Sequence, residues 1–238
     1  MTMHETARNE AVDRRERADP DVRTDGGTDP VYIDPGEIGD VDLGDRTVGG
    51  VVLAAGPGER YDGSYKLLET VDGTPMIRRA VAAMTESRVA DVVVIVGHEA
   101  DAVREAIGDL DVEYVENRAY QEGQSTSLHL GVEVARERDW DATVFGLGDM
   151  PFVTSSAIDA VIDAYADGRS TIVAAGFESK RGNPTLFDKS HYDALMDVTG
   201  DTGGRPVIMA SADVGIVETG EPGVMRDIDT VEDYDEYV

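Results

Sequence analysis

A glycine-rich segment follows an apolar run near residue 50. It starts with small and apolar residues and continues with two glycines: Leu53, Ala54, Ala55, Gly56 and Gly58. Because glycine lacks a Cβ, the backbone N–H groups of this segment can closely approach a phosphate. Arg60 and Lys66 follow and supply cations. The segment predicts a binding site for a nucleoside triphosphate, although a strand-to-helix turn with solubilising charges explains the same residues.

Two common phosphate-binding loops do not match this segment. A dinucleotide fingerprint requires a third glycine three residues after Gly58, and Tyr61 occupies that position. A loop of the kinase and GTPase type requires Gly-Lys-Ser/Thr, whereas Gly63 is followed by Ser64. The segment therefore belongs to neither class.

Carboxylates that could bind a metal occur far from the glycine segment in sequence. Asp149 follows an apolar run, and Asp227 and Asp229 lie near the C-terminus. Mg²⁺ prefers oxygen ligands and often takes one or two carboxylates together with substrate phosphates. We expect Asp149 and Asp229 to bind Mg²⁺, and we prefer Asp229 to Asp227 because it directly precedes a predicted terminal helix. An ordinary turn aspartate is the alternative for Asp149.

The elements that position these groups alternate between apolar runs and segments of helical periodicity. Strands are predicted at 48–55, 92–96, 112–115, 142–147, 171–175, 184–187 and 214–217. Helices are predicted at 75–87, with Thr74 as cap and Pro75 first, and at 99–107, 125–138, 154–166, 190–197 and from 231. This alternation predicts an α/β protein with a three-layer, Rossmann-like fold and a mostly parallel, mixed sheet. Ligands of such sheets bind at the carboxyl ends of the strands, where Gly56 and Asp149 fall.

The first 46 residues differ in composition from the rest. They are rich in acidic residues and arginine and show no apolar periodicity, so 1–46 is predicted to be a flexible acidic extension. Residues 47–238 then form a single domain. Whether Val31 to Ile33 lie along this domain is left open by the sequence.

Composition excludes several classes of function. The 49 acidic and 21 basic residues give a net charge of −28, which disfavours nucleic acid and anionic membranes as partners. The chain has no cysteine, so thiolate chemistry is excluded, and its four histidines show no metal-ligand spacing. All but three basic residues are arginine, and such an acidic, lysine-poor chain suggests a halophilic protein. Without an apolar signal or membrane-spanning run, we expect a cytoplasmic protein.

An ordered series of short motifs resembles one enzyme family. The series comprises Leu53-Ala54-Ala55-Gly56 with Arg60 and Lys66-Leu67-Leu68, Asn117-Arg118-Ala119-Tyr120 with Glu122-Gly123 and Ser127-Leu128, Gly148-Asp149-Met150-Pro151, Arg181-Gly182-Asn183-Pro184, and Asp227-Ile228-Asp229-Thr230 with Asp233. In this order the motifs resemble those of nucleotidyltransferases related to molybdenum cofactor cytidylyltransferase and guanylyltransferase. The resemblance covers residues 48–238, which it marks as a nucleotidyltransferase domain.

The resemblance implies Mg²⁺-dependent transfer of CMP from CTP to a phosphorylated acceptor, molybdopterin, with release of pyrophosphate. Arg60 and Lys66 would be catalytic, and Asp149 and Asp229 would bind the metal. The glycine segment would bind nucleotide together with three candidates for ribose or base contacts: Asn117, Ser125 and Ser127. Asn183 and Arg205 would bind the acceptor. The product would be passed on in transient contact with a molybdoenzyme or its chaperone.

Other interpretations stay open at this point. Polar loop, helix-cap and surface roles explain Asn117, Ser125, Ser127 and Arg205 equally. The enzyme could use GTP, or a sugar phosphate as acceptor, although sugar-nucleotide enzymes of similar opening usually have proline where this chain has Tyr65. A non-catalytic nucleotide-binding protein would also keep the glycine segment. The family commonly has glycine where this chain has Asp62, and its arginine-to-lysine spacing is often one residue shorter.

Overall fold

The computed structural model describes residues 29–39, 41–58 and 65–238. The strands of the described residues are β1 Val31–Ile33, β2 Val48–Ala54, β3 Thr70–Val71, β4 Thr74–Pro75, β5 Val92–Val96, β6 Glu113–Glu116, β7 Ala142–Leu147, β8 Ile172–Phe177, β9 Lys180–Asp188 and β10 Val214–Glu218. The α-helices are α1 Met76–Thr85, α2 Ala100–Ile107, α3 Gln124–Glu137, α4 Ser155–Ala166, α5 Tyr192–Met196, α6 Arg205–Ala210 and α7 Val231–Tyr237. Among these residues, no helix combines the length and apolar character needed to cross a membrane.

Eight strands form one sheet in the order β1-β10-β8-β9-β7-β2-β5-β6. Every neighbouring pair is parallel except those of β9, which runs antiparallel to both β7 and β8. A tight hairpin joins β8 to β9, and Glu178 and Ser179 in it have left-handed φ angles of 51° and 63°. A two-residue turn in which both φ angles are positive has a backbone twist that matches the right-handed twist of the strands it joins. The prediction of a mostly parallel, mixed sheet is confirmed.

Helices cover both faces of the sheet. All five residues of β5 are buried, and because side chains alternate along a strand, Val94 and Ile95 pack into different apolar clusters. One cluster contains side chains of α1, α2 and α4, and the other contains side chains of α3, α5 and α6. The strands are therefore continuous apolar runs, as expected for a sheet buried on both faces.

Two local predictions were wrong, and one helix was missed. Pro75 does not begin the helix, because Thr74 and Pro75 pair with β3 and Pro75 becomes the N-cap of α1. Strand β9 begins at Lys180 rather than at Pro184, since the hairpin pairs Lys180 with Phe177 across a turn. Helix α6 has only six residues, and such a length leaves little periodicity to detect. The Thr154 cap is confirmed, since its side chain accepts the N–H of Ala157.

The N-terminal part of the chain adds an edge strand to the sheet. Val31 and Ile33 pair in parallel with Gly215 and Val217 of β10, and Ile33 is buried. The Arg46 guanidinium donates to the backbone carbonyl of Ala166 at the end of α4. The sheet thus takes residues from the segment predicted to be an extension. Residues 1–28 lie outside the described residues, and the boundary at residue 47 stays a prediction.

Candidate active site

A pocket of about 450 Å³ opens at the carboxyl ends of β2 and β7. One side is formed by the glycine segment, of which Leu53, Ala54, Ala55, Gly56, Pro57 and Gly58 line the pocket. The other lining residues are Lys66, Leu67, Tyr120, Gln124, Ser127, Leu147, Asp149, Asp201, Asp227 and Asp229. The pocket therefore lies where parallel sheets bind ligands.

The glycine segment leaves β2 in a conformation that needs glycine at one position. Gly58 has a φ of 63°, and a Cβ there would lie 3.2 Å from Cγ of Lys66. The absence of a side chain at Gly58 thus leaves room for the stem of Lys66 beside the glycine segment. Arg60 lies outside the described residues, so its predicted catalytic role stays a prediction.

Lys66 joins two carboxylates that are far apart in the sequence. Its Nζ lies 2.6 Å from Oδ2 of Asp149 and 2.7 Å from Oδ1 of Asp229. Burial opposes the charge of Lys66, but the charges and hydrogen bonds of Asp149 and Asp229 outweigh it and raise the lysine pKa. The side chains of Lys66 and Asp149 are 12% and 21% exposed, so water screens this pair only in part. The three groups form one compact charged centre.

Close packing fixes the turn that carries Asp149. A Cβ on Gly148 would lie 2.8 Å from Ile77, so only glycine fits between β7 and α1 without a shift. The backbone N–H of Ile228 donates to the carbonyl of Asp149 at 3.1 Å. This bond ties the C-terminal motif to the end of β7 and brings Asp229 to the pocket.

A capping box holds Asp229 at the start of α7. The Thr230 side chain accepts the N–H of Asp233, and the Asp233 carboxylate accepts the N–H groups of Thr230 and Asp229. The helix packs through Tyr234 and Tyr237 on a small apolar cluster around Ile228. The position of Asp229 is therefore set by local capping and by packing.

The acidic centre offers oxygen donors of the kind that a divalent cation needs. Oδ1 of Asp149 is buried and has no hydrogen-bond partner among the described residues. Burial, and the nearby charges of Asp229 and Asp149, raise the pKa of Asp227. Within the described ranges no group of three or more acidic or histidine side chains forms a complete metal cage. The donor set fits Mg²⁺, which takes one or two carboxylates and completes its shell with water and phosphate.

The opposite end of the pocket is polar and is built on the N-terminus of α3. Gln124 and Ser127 of this helix line the pocket together with Asp201, which follows α5. The Gln124 N–H donates to Oδ1 of Asp201 at 3.4 Å, and the Ser125 N–H donates to the carbonyl of Gly200. The turn after α5 therefore packs against the helix start and contributes a carboxylate to the pocket.

Asn117 supports this wall from beneath. Its Nδ2 donates to Oγ1 of Thr126 and to Oγ of Ser127, both at 2.8 Å, and its Oδ1 accepts the N–H of Ala119. The side chain is buried and does not line the pocket. Its two N–H donors and its oxygen bond within the protein, so Asn117 supports the wall of the pocket, and its predicted contact with nucleotide stays a prediction.

The remaining predicted residues divide into two groups. Those that line the pocket are Leu53, Ala54, Ala55, Gly56, Gly58, Lys66, Ser127, Asp149 and Asp229. Ser125 is buried beside the pocket, Asn183 borders a small internal gap near Met150, and Arg205 begins the exposed end of α6. None of these three lines the pocket.

Sequence reasoning missed Gln124 and Asp201. Asp201 lies among the glycines at 200–204, a segment to which the sequence analysis assigned no role. Its approach to α3 depends on Gly123, where a Cβ would lie 2.5 Å from the backbone of Gly200. That contact joins residues that are distant along the chain, so no local sequence pattern predicts it.

Known structures share this architecture. A nucleotidyl transferase from Methanothermobacter (Mth528) is 22% identical, with a TM-score of 0.67 over 83% of this chain and 96% of that one. Rv0371c from Mycobacterium tuberculosis H37Rv is 24% identical, with a TM-score of 0.66 over 80% and 96%. The structure of Rv0371C in complex with manganese is 23% identical and gives a TM-score of 0.64 over 81% and 100%. At these identities the likeness establishes the fold.

Curated sequences give a second comparison. The Bifunctional protein GlmU of Brevibacillus brevis is 40% identical over 120 residues, which are 49% of this chain and 25% of that protein. The Bifunctional protein GlmU of Staphylococcus saprophyticus is 30% identical over 138 residues, or 56% and 29%. This chain thus spans about a quarter to a third of these relatives. The MobA-like NTP transferase domain matches residues 50–214, more than half of the chain. The chain therefore belongs to the MobA-like NTP transferase domain family and is a nucleotidyltransferase of the EC 2.7.7 type.

Proposed function

We propose that this protein transfers CMP from CTP to a phosphorylated acceptor, molybdopterin, in a Mg²⁺-dependent reaction that releases pyrophosphate. The observation that carries the proposal is the centre formed by Lys66, Asp149 and Asp229 beside the glycine segment. It combines carboxylates for a metal with a cation for phosphate in one pocket. The identities of the nucleotide and the acceptor are inferred from the resemblance of the ordered motifs to those of the family.

Asp149 and Asp229 would hold the metal, with Asp227 beside them. Magnesium bound there would neutralise charge on the triphosphate. The backbone N–H groups of the glycine segment, Lys66 and Arg60 would bind the phosphates and stabilise the departing pyrophosphate. These groups act by positioning and by charge rather than by covalent chemistry.

The acceptor would need no general base. A terminal phosphate has a second pKa of about 6, so its oxygen is already anionic at neutral pH. That oxygen attacks the α-phosphorus in line, a new P–O bond forms, and the bond to the bridging oxygen of pyrophosphate breaks. Ser127, with Gln124 and Asp201, would contact the ribose and base, whereas Asn183 and Arg205 would serve the acceptor.

The choice of CTP rests on the alanines of the segment Leu53-Ala54-Ala55-Gly56, which resemble the cytidylyl branch of the family. Ala54 and Ala55 are both 2% exposed, and their methyl groups lie near the sites where Cβ atoms of Gly148 and Gly97 would be. Any effect of these methyl groups on the base would therefore act through the shape of the pocket wall. GTP as the nucleotide is the runner-up.

Pyrophosphate release, measured with four nucleoside triphosphates against each acceptor, tests the proposal. We expect the highest rate with CTP, molybdopterin and Mg²⁺, and none of the pairs should turn over in EDTA. Release with a hexose 1-phosphate instead would establish the sugar-phosphate alternative, and a preference for GTP would establish the guanylyl alternative. Nucleotide binding without turnover for any pair would support a non-catalytic binding protein.

Replacing Asp149 with asparagine tests the metal role separately. The amide keeps the size of the side chain but removes the charge, so we expect turnover to fall by at least about 100-fold, a typical cost for losing a catalytic electrostatic group. Asp141→Asn is the matched control, because Asp141 pairs with Lys189 at the opposite end of β7. Unchanged turnover in Asp149→Asn, with the fold intact, would remove Asp149 from the metal site.

The proposal extends to the cellular setting. The acidic surface suits concentrated salt. The protein would work in the cytoplasm, and the dinucleotide product would pass to a molybdoenzyme or its chaperone. Co-purification of the protein with such a partner, in about 2 M KCl to keep surface charges screened, would test that transfer.

A further inference from the structure

Tyr65 contacts the backbone of the glycine segment through its hydroxyl. Its hydroxyl lies 3.0 Å from the carbonyl oxygen of Gly56 and 3.4 Å from that of Ala54, and its single O–H is shared between these two acceptors, with the shorter contact to Gly56. Tyr65 also directly precedes Lys66, which binds Asp149 and Asp229. One residue therefore links the glycine segment, at the end of β2, to the neighbouring lysine of the charged centre.

The ring of Tyr65 is itself held in place. It contacts the imidazole of His98 edge to face, with 5.1 Å between ring centroids, and His98 in turn lies 6.0 Å from the ring of Tyr120. The backbone N–H of His98 donates to the carbonyl of Ala55 at 3.1 Å. The turn between β5 and α2 thus supports both the ring and the backbone that its hydroxyl contacts.

The hydroxyl of Tyr65 stays protonated at neutral and mildly alkaline pH. Burial, with the negative charges of Asp149 and Glu99, raises the pKa of Tyr65. A neutral hydroxyl can donate to a carbonyl, whereas a phenolate would repel it. The contact to Gly56 is therefore maintained at neutral and mildly alkaline pH.

The segment has few N–H donors, which makes its orientation important. Pro57 has no N–H, so between residues 55 and 58 only Ala55, Gly56 and Gly58 have a backbone N–H. In a peptide unit the C=O and N–H groups point in opposite directions, so holding the Ala54 carbonyl orients the N–H of Ala55. The unit between Gly56 and Pro57 has no N–H, so there the hydroxyl holds only the carbonyl oxygen. A carbonyl oxygen held by Tyr65 cannot turn into the pocket, where it would repel a phosphate.

We propose that Tyr65 is a positioning residue for the triphosphate. Its hydroxyl holds the carbonyl oxygens of Gly56 and Ala54 away from the phosphates, and through the Ala54 carbonyl it orients the N–H of Ala55. The adjacent Lys66 is thereby kept beside the same backbone. The inference rests on the proposed triphosphate site but on neither the base nor the acceptor. It assigns a role to the position where related sugar-nucleotide enzymes usually have proline.

The test is calorimetric titration of Tyr65→Phe, which keeps the ring contact with His98 and removes only the hydroxyl. Inorganic tripolyphosphate, CTP and GTP are titrated in Mg²⁺. We expect all three to bind about 3- to 10-fold more weakly, the worth of one hydrogen bond. In kinetics the KM for the nucleotide should rise while the KM for the acceptor stays unchanged.

Tyr192→Phe is the matched control. Its hydroxyl contacts Oγ1 of Thr143 at 2.7 Å, and neither residue contacts the glycine segment through this bond or lines the pocket. This variant should lose thermal stability without losing affinity for any of the three ligands.

Two results would overturn the inference while leaving the proposed function intact. In one, Tyr65→Phe binds all three ligands as the wild type does, whether or not its melting temperature falls. In the other, only one nucleotide loses affinity and tripolyphosphate does not, so the hydroxyl acts on the base. If the wild type binds none of the three ligands, the proposed function itself fails, and the inference fails with it.

Discussion

Replacing Lys66 with methionine separates two roles of this lysine. Methionine keeps an unbranched apolar stem but leaves Asp149 and Asp229 without the ammonium that now lies 2.6 and 2.7 Å from them. Removing one partner of a fully buried ion pair costs about 3–5 kcal/mol. Because Asp229 is 38% exposed, we discount this to about 1–2 kcal/mol of unfolding free energy. For a chain of this size the melting temperature should fall by about 2–8 °C.

The same oxygens that bind Lys66 are the ones a divalent cation would need. We therefore expect Mg²⁺ or Mn²⁺ to bind Lys66→Met about 10-fold more tightly than the wild type in the absence of nucleotide. The reason is that the positive charge of Lys66 costs a nearby cation on the order of 1 kcal/mol of binding free energy. Added metal should also restore most of the lost melting temperature. Affinity for the nucleotide should fall, because a phosphate loses its cation.

Thermal melting and Mn²⁺ titration followed by paramagnetic resonance measure these effects, with EDTA as the metal-free reference. Lys189→Met is the control, because the Nζ of Lys189 pairs with Asp141 at 2.7 Å while its side chain is 61% exposed. It should change neither property. The reasoning is refuted if Lys66→Met melts like the wild type and gains no affinity for metal.

Three further predictions concern the scaffold. Gly123→Ala should lower the free energy of unfolding by about 2–4 kcal/mol in urea, because its Cβ would lie 2.5 Å from Gly200 and its φ is 112°; a loss below about 0.5 kcal/mol would show that the turn shifts freely. Burial lowers the pKa of His191 despite the charges of Asp188 and Asp213. The unfolded chain then binds the proton more readily, so this contribution to stability is complete above about pH 6.5 and is lost as pH falls through the lower folded pKa. Urea titrations should show a steeper loss on acidification for the wild type than for His191→Gln, and parallel curves would exclude His191 as the cause. The melting temperature should rise between about 0.1 and 2 M KCl, because salt screens a net charge of −28; no rise would count against adaptation to salt.

Much of the fold and of the charged centre could be predicted because the signals are local. A continuous apolar run such as Val92–Val96 indicates a strand buried on both faces, and this strand has the same bounds in the structure. Thr154 before an apolar helix predicts the cap that forms. The glycines after Ala55 and the aspartate after β7 could be assigned to one sheet edge, because parallel strands all end there.

Tertiary packing determined which polar groups face the pocket. Asn117 directs its side chain to Thr126 and Ser127, whereas Asp201 reaches the pocket from another turn through the contact of Gly123 with Gly200. Neither outcome is encoded by a short pattern, since each depends on how closely two distant segments approach.

By itself, then, the sequence determined the alternation of strands and helices, the glycine segment, and the carboxylates available for a metal. Only the tertiary structure decided that Lys66 joins Asp149 to Asp229. The lysine and Asp229 lie 163 positions apart in the chain. The physical reason is range: propensity and periodicity act over a few residues, whereas a charged centre forms only where the packed sheet brings its members within a few ångströms.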